Sequence, residues 1–259
     1  MKILALLHAD ARRTLSSALS GRQHLKKAVD APSVAAALRN GEFDALVFDP
    51  DMLDAQEFET VIRAVNAHSV PTLIYATLGP LAARRIVDAV EHTPHEIALR
   101  GSDDTPEVLR HKLAALVTPS VPALLLKKVA GHFRVFPERL QTVSVGLFGR
   151  TVLPRWVGGL VKESGLARRT VDRWMDRGGI FGAGRLLDAV RFAQVWEPLV
   201  ERQLSVSQVV AQCGYPRLRL FAAHSRRLTD VSPHELRSAY SRESFSERLA
   251  RAILEEKES

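Results

Sequence analysis

Through the first 120 residues, short and nearly unbroken apolar runs are separated by longer stretches whose apolar positions fall three or four apart. The runs Ile3–Leu7, Leu25–Val29, Ala45–Phe48, Leu73–Ala76 and Ile97–Leu99 read as strands of the continuous kind needed in a sheet covered on both faces. Lys26 and Lys27 make the second run the weakest. Helical spacing lies between the runs. Ala11–Ser20 aligns Leu15 and Leu19 and stops at Gly21; Ser33 can cap a helix carrying Val34, Ala37 and Leu38 that closes at Asn40-Gly41. Asp54 can cap a helix with Phe58, Val61, Ile62 and Val65, and Leu81–Val90 and Thr105–Val117 complete the series. Five strands alternating with five helices predict an α/β fold, a doubly wound parallel five-stranded sheet, over residues 1–118.

Residues 119–150 read as a helical linker punctuated by Pro119, Pro122 and Pro137. Its apolar segment Ala123–Phe136 either packs on a flanking domain or pairs two chains. From Leu153 the strand pattern is gone and an all-α domain is expected over 151–240. Pro154 opens a helix to Glu163 with Trp156, Val157, Leu160 and Val161 apolar, Ser164-Gly165-Leu166 turns, and Ala167–Arg177 follows. Gly178-Gly179 breaks the chain before a long helix, Ala183–Gln203. The arrangement then recurs: a helix from Ser205 to Gln212, a turn at Gly214-Tyr215, and a helix from Pro216 to Leu228. Two helix-turn-helix units joined by a helix are a far more specific pattern than one. The charged tail 241–259 carries Phe245, Leu249, Ile253 and Leu254 at helical spacing, and either packs or frays.

Composition narrows the function classes. The 259 residues are 46% hydrophobic with no run near the ~18–20 apolar residues of a membrane span, so no membrane partner and a cytoplasmic location are expected. A single cysteine, Cys213, excludes an internal disulfide framework and a cysteine-rich zinc cluster, and suits buried filler better than a nucleophile. Charge is uneven. Residues 1–120 hold 13 Lys and Arg against 15 Asp and Glu, whereas 121–259 hold 23 against 14, a net of +9. A near-neutral module joined to an arginine-rich one suggests a polyanion partner for the second.

In a doubly wound sheet, chemistry gathers at the carboxyl edge, here His8-Ala9-Asp10, Asp49-Pro50-Asp51, Ala76-Thr77 and Arg100-Gly101. The run Phe43-Asp44-Ala45-Leu46-Val47-Phe48-Asp49-Pro50-Asp51-Met52 resembles the third strand of response-regulator receiver domains, and element order agrees over about 1–118. The resemblance implies a phosphoacceptor role for Asp49. The surrounding site departs from the family: Leu7 and His8 replace the acidic pair, Ala76 replaces the hydroxyl unless Thr77 serves, and Arg100-Gly101 replaces lysine-proline. Phosphoryl transfer to a carboxylate needs Mg²⁺ near it, and arginine does not reproduce a compact ammonium. The expectation is a degenerate receiver-like domain without metal or cofactor, in which Asp49 is a turn or cap carboxylate; phosphorylation of Asp49 is the alternative.

The second recurring unit carries Val206-Ser207-Gln208-Val209-Val210-Ala211-Gln212-Cys213-Gly214-Tyr215, then Leu220-Phe221, and Arg226-Arg227-Leu228-Thr229-Asp230-Val231-Ser232-Pro233-His234-Glu235-Leu236-Arg237. This resembles the AraC/XylS family DNA-binding domain over about 150–240, with His224 where an aromatic is usual and Asp230 where glycine is common. The resemblance implies a transcriptional regulator binding double-stranded DNA, the second helix of each unit entering a major groove. Base or phosphate contacts are then expected from Arg168, Arg169, Thr170 and Arg173, and from Arg217, Arg219, His224 and Arg226. The receiver-like domain would control orientation or dimerisation of the DNA-binding domain, with a homodimer or a protein partner at that domain. An interaction module without DNA binding is the alternative of another class. No enzyme is expected: His8, Asp10, Asp49 and Asp51 lack a surrounding catalytic constellation.

Overall fold

The computed structural model of the chain describes residues 1–19, 23–91, 95–150 and 152–254. The chain divides into two compact units, Met1–Pro119 with Gly149–Thr151, and Ser120–Phe148 with Val152–Ser259.

The first unit alternates β1 (Lys2–Leu6), α1 (Ala9–Ala18), β2 (His24–Lys27), α2 (Ala31–Arg39), β3 (Ala45–Phe48), α3 (Ala55–His68), β4 (Thr72–Ala76), α4 (Pro80–Val90), β5 (Glu96–Leu99) and α5 (Pro106–Ala114). All five strands pair in parallel in the order β2-β1-β3-β4-β5, so the predicted α/β sheet is the observed one. Alternate strand residues Ile3, Ala5, Ala45, Val47, Leu73, Tyr75 and Ala98 share a core with Ala11 and Leu15 of α1 and Leu109 and Leu113 of α5. Residues of the opposite parity, among them Leu4, Leu46, Phe48 and Ile74, are equally buried, and Phe48 meets Phe58 of α3 at 6.4 Å between ring centres. Burial on both faces is why these strands lack polar alternation. The exception is β2, an exposed edge whose Lys26 pairs with Glu42 at 3.8 Å; charge there discourages further strand pairing.

Local details follow the capping chemistry with one correction. Asp54 caps α3 as expected, in a reciprocal box with Glu57. The cap of α2 is Asp30, not Ser33: Pro32 has no N–H to donate and belongs in the first turn, so the helix starts earlier and Ser33 becomes the returning partner of the box. Ser20 and Gly21, expected to end the first helix, lie outside the described residues.

In the second unit the described elements are α6 (Val121–Val129), a 3-10 turn at Ala130–Val135, α7 (Glu138–Gly149, its last residue in the first unit), α8 (Val157–Ser164), α9 (Arg168–Arg177), α10 (Gly182–Ala193), α11 (Val206–Gln212), α12 (Leu218–Thr229), α13 (Leu236–Ala239) and α14 (Arg242–Ile253). Several expectations change. The 119–150 segment is not a separate linker: α6 buries Val121, Leu124, Leu125, Leu126 and Val129 and packs on α14. The tail packs too, with Phe245, Leu249 and Ile253 buried and Phe245 5.0 Å from the Trp196 ring; its last residues, 255–259, lie outside the described part. The first helix of the next segment starts at Val157 rather than Pro154, leaving Trp156 64% exposed. The long helix expected over 183–203 ends at Ala193 and resumes as a wider π turn at Glu197–Glu201. Pro198 explains the break, because it has no N–H to donate to the Gln194 carbonyl.

Candidate nucleic-acid interface

At the carboxyl edge of the sheet, Asp49 is 3% exposed and accepts the Asp51 N–H at 3.0 Å, capping the turn Pro50–Met52. Burial pushes its pKa above the ordinary carboxylate value, against the pull of that N–H. Arg100, just past β5, holds Nη1 3.7 Å from Asp49 and donates from Nη2 to Asp10. Arg85 of α4 is buried over the Phe58 ring and donates to the Pro50 carbonyl. The side chain that neutralises both carboxylates is thus an arginine. Among the described residues no three His, Cys, Asp or Glu side chains are grouped to hold a metal.

In the helical unit two short helix pairs share a design. Gly165 closes α8 at φ +65°, a left-handed conformation that favours glycine, and a Cβ there would come within 3.1 Å of Arg139 Nη1. Val171 and Met175 bury one side of α9, leaving Arg169 and Arg173 exposed on the other and Thr170 half-buried. Arg168 is exposed but already engaged, its Nε 2.9 and 3.1 Å from the Asp172 oxygens one turn on. In the second pair Ser205 and Gln208 form a capping box on α11, and Gly214 turns the chain at φ +69°. Cys213 is part-buried beside the Gln194 carbonyl, and burial pushes its thiol up to about 12.

Phe221, His224, Ser225 and Leu228 form the inward stripe of α12, which corrects the expectation for His224. Helical spacing from Phe221 and Leu228 puts residue 224 in the interior, where its ring meets Tyr215 edge-on at 5.6 Å and Nε2 lies 3.8 Å from Asp188. His224 is therefore not a base-facing residue. Arg217, Arg219 and Arg226 are exposed. Asp230, the departure from glycine, ends α12 at φ +63°, and Arg248 of α14 holds its carboxylate from Nε at 3.1 Å. Aspartate tolerates this conformation better than most side chains.

No protein-family model, curated protein or solved structure matches this chain.

Most arginines of the helical unit fall into two sets. Arg191 and Arg227 contact Asp188, Arg242 bonds Glu201, Arg248 bonds Asp230, and Arg237 donates to Gln203 and the Leu204 carbonyl. Arg155, Arg177 and Arg185 lie over Trp156, Trp174 and Phe181. Arg169, Arg173, Arg217 and Arg219 are exposed with no carboxylate in ion-pair range among the described residues; Arg226 senses Glu235 only at longer range. Arg139 of α7 belongs with this second set, exposed and placed at the α8–α9 turn. Sequence reading missed it because it lies outside both recurring units. Arg202, at the end of the π turn, and Arg251, on α14, are exposed as well.

Proposed function

We propose that the chain is a sequence-specific DNA-binding transcriptional regulator of the AraC/XylS kind, with α8–α9 and α11–α12 acting as two helix-turn-helix readers. The observation that carries this reading is the sorting of arginines. Arg169 and Arg173 on α9 and Arg217 and Arg219 at the head of α12 face solvent with no carboxylate in ion-pair range among the described residues. Arg168, Arg191, Arg227, Arg242 and Arg248, by contrast, are ion-paired, and Arg155, Arg177 and Arg185 are stacked. Exposed guanidinium groups at the start of such helices suit guanine edges and phosphates. Arg169, Arg173, Arg217 and Arg219 are the base-reading candidates, Arg168 and Thr170 are secondary, Arg226 lies further along α12, and Arg139 grips phosphate beside the first turn.

In this reading the α/β unit is a pseudo-receiver that governs orientation or dimerisation of the reader without phosphorylation of Asp49. Arg100 supports that, since it supplies a fixed positive charge between Asp10 and Asp49 where a phosphorylatable site uses a metal ion.

Binding of the full chain to selected and random duplexes across a salt series tests the proposal. The expected log–log slope is steep, at about −0.9 per phosphate neutralised. Arg173→Ala should lose about 1–3 kcal/mol on the selected sequence and little on random DNA, while Arg139→Ala should weaken both equally and flatten the slope by about one unit. Folded protein that binds neither duplex at low salt would sink the proposal and favour the protein-interaction alternative.

A further inference from the structure

Two reading helices on one frame engage DNA together only when their separation is held. In the helical unit α10 packs on both pairs, on α8 and α9 and on α12. Asp188 of α10 accepts from Arg227 Nη2 of α12 at 2.6 Å, and its other oxygen accepts from Arg191 Nη1 at 3.4 Å. Arg191 Nη2 then donates to the carbonyls of Pro154 at 2.6 Å and Arg155 at 3.3 Å, in the segment that leads into α8. One carboxylate therefore closes a polar path from the last turn of α12 to the start of α8.

The side chains of Asp188 and Arg191 are only 21% and 11% exposed, so that pair is less screened than one on open surface. Arg227, which carries the link to α12, is 43% exposed. His224 lies 3.8 Å from the Asp188 carboxylate, and the Arg185 and Tyr215 side chains feel its charge along with that of Arg227. Without the carboxylate, Arg185, Arg191 and Arg227 become neighbouring like charges, which drives α12 away from the α8 side.

We propose that Asp188 is a positioning residue that fixes the separation of α9 and α12, and with it the number of base pairs between the two half-motifs read. The proposal rests on the DNA reading above. One inserted base pair moves the second half-motif by about 3.4 Å and turns it by about 34°. A frame closed at Asp188 does not follow that displacement; a frame opened there does.

The experiment selects duplexes with the full wild-type chain, then measures binding to variants of the selected site with one or two base pairs added or removed between half-motifs. Wild type should lose about tenfold per base pair of misplacement, the scale of a lost base contact. Asp188→Asn should bind the displaced sites within about threefold of the original while keeping each half-motif's base preferences, a change that lower stability alone does not produce. Arg191→Lys keeps the charge but not the fork that reaches both Asp188 and the carbonyls, so it should relax spacing in the same direction and serves if Asp188→Asn does not fold. Folded Asp188→Asn or Arg191→Lys that keeps wild-type spacing discrimination overturns the proposal, as does a wild type that selects a single half-motif. Folded wild type with no salt-sensitive DNA binding removes the DNA reading and this role together.

Discussion

His224 and Asp188 lie 3.8 Å apart, yet burial is the larger influence on the imidazole and lowers its pKa from 6.5, with Asp188 opposing and Arg227 and Arg191 adding to the shift. A histidine held neutral in the folded state contributes stability that is full above 6.5 and is lost as pH falls below it, because the unfolded chain takes up the proton first. The urea midpoint of the wild type should therefore drop between pH 7.5 and 5.5 by more than that of His224→Phe, whose ring still meets Tyr215. Equal drops in the two proteins would show that His224 is not the titrating group. The sequence marked residue 224 as unusual but not as inward. Only its phase relative to Phe221 and Leu228 on a packed helix settles that. Arg100 is similar: its charge is legible in the sequence, and its contact with both Asp10 and Asp49 is created by strand order.

At the scale of elements, α12 ends on a non-glycine residue at positive φ, and the substitution is buffered by its neighbour. Asp230 takes the left-handed conformation while Arg248 of α14 holds its carboxylate. Asp230→Ala loses both the tolerant side chain and the ion pair and should destabilise the unit by about 1 kcal/mol. Asp230→Gly loses only the pair and regains backbone freedom, so it should be the more stable of the two variants in chemical denaturation. Equal values would assign the cost to the ion pair instead of the backbone. Caps and breaks were largely readable at this scale, as Asp54, Ser205 and Gly165 illustrate. Two limits were misplaced for one reason: prolines 32 and 198 have no N–H to donate, and that fixes where a helix starts or is interrupted.

Across the whole molecule, the charged tail is part of a core. Phe245 is buried against Phe192, Trp196 and Tyr240, so α14 completes the helical unit rather than trailing from it. Phe245→Ala should cost about 3–5 kcal/mol, read through the tryptophans, since Trp156, Trp174 and Trp196 all belong to this unit. A loss under about 1 kcal/mol would mean that the tail is dispensable.

The sequence by itself determined the parallel sheet, because continuous apolar runs of strand length leave few other arrangements once helices separate them. It also determined the charge asymmetry and the local caps, which depend on neighbours within a turn. Tertiary structure decided the remainder: which arginines are neutralised, that α6 and α14 pack together, and that Asp188 joins the two helix pairs. Those outcomes bring together residues far apart in the chain, such as 154 with 191 and 188 with 227. Hydrophobic periodicity fixes which side of a helix is buried, but not which other helix covers it.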